Sequence, residues 1–100
     1  MEKRELEPQL NTKATQKLFE VLAKVDKPDE MASFIRDLLT FEEIEEASRR
    51  LLAADLLKKG KSIRDVAKEL GVSTTTVVRI SFWLHHGMGG YTLALEKLKS

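Results

Sequence analysis

The 100-residue sequence contains no cysteine, only 2 prolines and 5 glycines, and 6% aromatics. Without thiols there is no disulfide framework and no thiolate metal site, a composition that fits a reducing compartment. No apolar run approaches the ~20 residues of a membrane span. The opening stretch MEKRELEPQL also lacks the apolar core of a secretory leader. The two histidines are adjacent, and neither a Gly-rich phosphate loop nor a paired nucleophile and base is visible, so an enzyme has little to work with. These absences lead us to expect a soluble, cytoplasmic, non-enzymatic protein with no cofactor, no membrane association and a single domain over residues 1–100.

What the chain has is charge, unevenly placed. The net charge is only +1. Residues 1–55 carry 9 Lys+Arg against 13 Asp+Glu, a net of −4, whereas residues 56–100 carry 8 against 3, a net of +5. A basic excess confined to one half is the footprint of a phosphate-facing surface, although solvated helical faces also segregate charge.

That basic half holds the most specific pattern, SIRDVAKELGVSTTTVVRISFWL at residues 62–84. Ile63, Val66, Ala67 and Leu70 recur at helical spacing, Gly71 suits a left-handed helix end, and Val77, Ile80 and Leu84 resume the stripe. Ala67 leaves room beneath a steep helix crossing, while Val72, Val77 and Ile80 plug the space between the helices. Ser62 with Asp65, and Ser73 ahead of Thr74, Thr75 and Thr76, supply the two N-caps. An ordinary helical hairpin needs no such register, so the stretch reads as a helix-turn-helix.

The remaining chain reads as four more helices, without strands. Residues 1–10 are charged, contain Pro8 and are expected to form a mobile arm. A helix follows from Asn11 or Thr12, with Ala14, Leu18, Val21, Leu22 and Val25 on one face. Pro28 opens a second, striped by Met31, Phe34, Ile35, Leu38 and Leu39. A Thr40/Glu43 capping box opens a third, reaching about Lys59 and closed by Gly60. Its glutamates 42, 43, 45 and 46 suit the positive end of the helix dipole and lack the histidine or further carboxylate of a metal or acid/base site. Leu51, Leu52, Ala53, Ala54, Leu56 and Leu57 make this helix apolar around much of its circumference, which calls for cover from another subunit. The pattern breaks at His85, His86, Gly87, Met88, Gly89 and Gly90. The adjacent histidines point to different sides of a helix, so a C-terminal dipole or DNA-backbone role suits them better than metal binding. Tyr91, Ala94, Leu95 and Leu98 mark a final short helix.

With this order laid out, LLTFEEIEEASRR at residues 38–50, LLKKGKSIRDVAKELGVSTTTVVR at residues 56–79 and the closing amphipathic helix resemble the Trp repressor family, in particular its YerC/YecD-type branch. The resemblance covers about two-thirds of the chain and implies an interlocked all-α homodimer of six helices per chain, with each helix-turn-helix projecting as a reading head. It also places Arg49 and Arg79 where the Trp repressor holds its corepressor's indole between two arginines. Two departures matter here. Ile80 stands where the Trp repressor has a glycine that leaves space for the ring, and Trp83 stands where it has a small serine. Their bulk is expected to occlude the effector pocket, so any small-molecule effector is expected not to be tryptophan. Arg49 and Arg79 then bind another anion, or Arg79 meets DNA phosphate while Arg49 pairs with a glutamate, the reading we prefer.

The expected mechanism is a homodimer reading a palindromic operator in double-stranded DNA and repressing transcription by occupancy. Ser73, Thr74, Thr75 and Thr76 offer short donors and acceptors to phosphates or, through water, to base edges, and Val78 adds an apolar contact. By family position Arg64 is aimed at a guanine in the outer half-site, and Lys68, with Lys58, Lys59 and Lys61, would position the head on phosphates. The alternative is a helical interaction module that docks a protein through the same face.

Overall fold

The structure is a computed structural model that describes residues 5–99. Six α-helices and no strand occur among them: α1 (Lys13–Lys24), α2 (Pro28–Leu38), α3 (Phe41–Lys58), α4 (Ile63–Leu70), α5 (Thr74–His86) and α6 (Gly90–Leu98). The chain falls into two compact units that divide between Ile44 and Glu45.

In the first unit, helix starts are set by local hydrogen bonds. Thr12 and Thr15 each accept the other's peptide N–H through the hydroxyl, at 3.2 and 3.0 Å, closing a capping box on α1. Of the arm expected at residues 1–10, residues 1–4 lie outside the described residues. Pro8–Leu10 makes one turn of 3-10 helix, tied to α1 where the Thr15 hydroxyl donates to the Leu10 carbonyl at 2.8 Å. Pro28 occupies the first turn of α2, where its missing N–H leaves no bond unmade. Thr40 and Glu43 cap α3 reciprocally at 2.8 and 3.1 Å, and the Arg36 guanidinium lies 3.9 Å over the Phe41 ring. None of the described residues from 5 to 44 is buried. The stripes of α1 and α2 are only partly covered: Leu18, Val21, Leu22, Met31, Phe34 and Ile35 are intermediate in exposure, while Phe19, Leu38 and, at the start of α3, Phe41 stay 41, 46 and 61% exposed.

The second unit holds the core. Ala53 and Ala54 of α3, Val66 and Ala67 of α4, Val77 and Ile80 of α5 and Leu95 of α6 form one buried cluster, flanked by Leu56, Leu57, Ile63, Leu70, Val72, Leu84 and Tyr91. Val66 and Val77 are wholly enclosed, and each such valine contributes about 1.5 to 3 kcal/mol relative to exposure. Ala67 is the small residue at the crossing: its carbonyl accepts the N–H groups of both Gly71 and Val72, so the chain turns directly over it.

One boundary differs from the sequence reading. α5 continues to His86, two residues beyond the Leu84 that closes the helix-turn-helix stretch, so the histidines form its last turn. Apolar periodicity lapses after Leu84, but the backbone ladder persists until Gly87, whose N–H still reaches the Trp83 carbonyl at 2.9 Å.

Candidate nucleic-acid interface

The turn between α4 and α5 is shaped by its residues. Gly71 adopts a left-handed conformation at φ 67°, which ends α4 and reverses the chain within three residues. Ser73 then caps α5, its hydroxyl accepting the Thr76 N–H at 3.1 Å and lying 2.9 Å from the Thr76 hydroxyl. Thr74 and Thr75 are exposed in the first turn, and their hydroxyls have no partner among the described residues. They sit where helix amides also lack intrahelical acceptors, a combination suited to phosphate or base-edge oxygens. Of the four hydroxyls expected to read DNA, Ser73 and Thr76 are thus engaged in the cap and Thr74 and Thr75 are free.

The cations sort in the same way. Arg64 and Lys68 are four residues apart on the exposed face of α4, and neither has an ion-pair or hydrogen-bond partner among the described residues. Arg79 is likewise exposed and unpartnered, one turn after Thr75. Val78 is 51% exposed beside it. Lys59 and Lys61, by contrast, are held by Asp55 at 3.0 Å and Glu69 at 3.1 Å. Lys58 is exposed and without a partner among the described residues.

At the positions assigned to an effector pocket, Arg49 is ion-paired to Glu45 at 3.1 Å across one turn of α3. Ile80 is buried in the core at 5% exposure, whereas Trp83 is 53% exposed. Trp83 meets Phe82 edge-on at 5.5 Å, and Phe82 lies 5.1 Å from the His86 ring, one turn on. The sequence reading missed this ring cluster, although the four-residue step from Phe82 to His86 was visible. The His85 Nδ1 lies 2.8 Å from the Ser81 carbonyl, one turn earlier on α5.

Residues 13–99 match the family model of the Trp repressor protein. The chain belongs to the Trp repressor family. It is 31% identical over 90 residues to the uncharacterized protein YerC of Bacillus subtilis, covering 90% of this chain and 86% of YerC. It is 36% identical over 67 residues to a Trp operon repressor homolog of Xylella fastidiosa, covering 66% and 73%. The crystal structure of a TrpR-like protein from Eubacterium eligens superposes with a TM-score of 0.87 at 31% identity, covering 93% of this chain and 96% of that one. Members of the Trp repressor family are regulators that bind DNA, and this chain is of that kind. No helix among the described residues is long and apolar enough to cross a membrane.

Proposed function

We propose that the protein is a sequence-specific transcriptional repressor that acts as a homodimer, presenting two copies of the α4–α5 helix-turn-helix to a palindromic operator. Two heads related by a two-fold axis would meet half-sites about 34 Å apart, one turn of the duplex. The observation that carries the reading is chemical. On α4 and α5 the side chains suited to nucleic acid, Arg64, Lys68, Thr74, Thr75 and Arg79, are exposed and without a partner among the described residues, while Ser73 and Thr76 are engaged in the cap of α5 and Lys61 in an ion pair. Support for a second copy comes from apolar surface: Leu51 and Leu52 are 42 and 52% exposed, and no described residue from 5 to 44 is buried.

Tryptophan is not the corepressor on this reading. Ile80, where the resemblance expects a glycine, carries a branched side chain packed in the core, and Arg49 is engaged with Glu45. Titrating L-tryptophan to millimolar concentration should give no binding heat and no tightening on DNA; a tenfold gain in DNA affinity would refute this part.

The deciding experiment mixes the purified protein with sheared genomic DNA at near-physiological salt and sequences what is retained, with Arg64→Ala and Thr75→Ala in parallel. Enrichment of a few palindromic sites that the variants lose is the expected result. Diffuse retention by all three proteins that disappears with salt would reduce the interface to backbone attraction. No retention, with salt-independent capture of a protein, would support the docking module instead.

A further inference from the structure

α4 carries two neighbouring rows of exposed charge, basic at Arg64 and Lys68 and acidic at Asp65 and Glu69. Asp65 has a local reason to be there, because it lies in the first turn, at the positive end of the helix dipole, with its N–H bound to Ser62. Glu69 has none. It lies in the last turn, where the dipole favours a cation, and it adds negative charge to the helix that carries Arg64 and Lys68. Its partner comes from outside the helix: Lys61 Nζ is 3.1 Å from Glu69 Oε1, with the two side chains 47 and 48% exposed. An ion pair this exposed contributes little to stability. Stability is therefore a poor account of why a carboxylate stands there.

We propose that Glu69 determines specificity by withholding Lys61 from the DNA backbone, an inference that rests on the DNA-binding reading above. Backbone attraction is independent of sequence, and selectivity is a difference between two affinities. In a specific complex, base contacts fix the pose of the head. In a non-specific one the head shifts and tilts until its cations find phosphates. A freed Lys61 adds to every non-specific pose, but to the specific pose only if that single geometry brings a phosphate within reach. Holding Lys61 on Glu69 thus weakens the wrong complexes more than the right one.

The test compares the full-length protein with Glu69→Gln, Lys61→Gln and the double variant on a random-sequence duplex and on the duplex most enriched from genomic DNA, across 50 to 200 mM salt. Glu69→Gln should bind the random duplex more tightly, with a log–log salt slope steeper by about 0.9 for each head that gains a phosphate. The ratio of specific to random affinity should fall. Lys61→Gln alone should leave the wild-type slope unchanged, and the double variant should return to it. A shallower slope in Lys61→Gln would show that Lys61 already contacts phosphate and would overturn the proposal, as would an unchanged specificity ratio in Glu69→Gln. A wild-type protein that binds neither duplex would sink the DNA-binding reading itself and this inference with it.

Discussion

Two glycines show how differently single residues are constrained. Gly71 is left-handed at φ 67°, and a Cβ built there meets nothing within 4 Å. Gly71→Ala therefore pays only the backbone term, and we expect a loss of about 1 to 2 kcal/mol in denaturant unfolding. Gly87 has an ordinary φ of −82°, but a Cβ on it would run into the Trp83 carbonyl oxygen, a backbone atom that cannot swing aside. Gly87→Ala should lower the unfolding midpoint further than Gly71→Ala and shift the emission of Trp83, the only tryptophan in the chain; an unchanged spectrum and midpoint would refute this. At the interface, Arg64→Ala should cost about 1 to 3 kcal/mol and relax preference at one operator position, whereas Lys68→Ala should weaken binding evenly and flatten the salt slope by about 0.9. Equal losses on all duplexes with Arg64→Ala would remove its base-reading role. Gly71 was legible because a helix stripe stops there and chirality leaves few alternatives. Gly87 was not, because its constraint is another residue's carbonyl.

For the helices, starts were more readable than ends. Ser62, Ser73 and the Thr40/Glu43 pair are side chains that bond amides three residues away, so the sequence spacing is itself the geometry. The end of α5 had no such marker: His85 and His86 interrupt the apolar stripe without interrupting the hydrogen-bond ladder. Two substitutions should separate caps from surface charge. Ser73→Ala removes the acceptor of the Thr76 N–H and is expected to cost about 1 kcal/mol. Glu45→Gln breaks the exposed pair with Arg49 and is expected to change stability by less than about 0.5 kcal/mol. Comparable losses in chemical denaturation would mean that the ion pair is worth more than its exposure implies.

At the scale of the whole molecule, the uneven burial has a thermodynamic consequence. The core lies entirely between Ala53 and Leu95, while the amphipathic helices α1 and α2 bury no residue. If a second copy provides the cover, folding and association are linked by mass action, and the thermal midpoint should rise with protein concentration. Sedimentation should give twice the 11.4 kDa chain mass, and Leu52→Glu should shift the population towards monomer. A midpoint constant over a hundredfold dilution, together with a monomeric mass, would remove the homodimer from the mechanism.

The residues by themselves determined the all-α class, the six helices, the N-caps of α3, α4 and α5 and the family resemblance, because each of these is written in contacts three or four positions apart or in a contiguous motif. They also singled out the exposed cations of α4 and α5. The tertiary structure alone decided which apolar stripes became core, since those of α1 and α2 are as regular as those that are buried. It also decided that Ser73 and Thr76 bond each other, and that Lys61 reaches Glu69 eight residues on. Lys61 precedes the helix, so no helical period relates it to Glu69; only the path of the backbone through the Ser62 cap brings the two charges together.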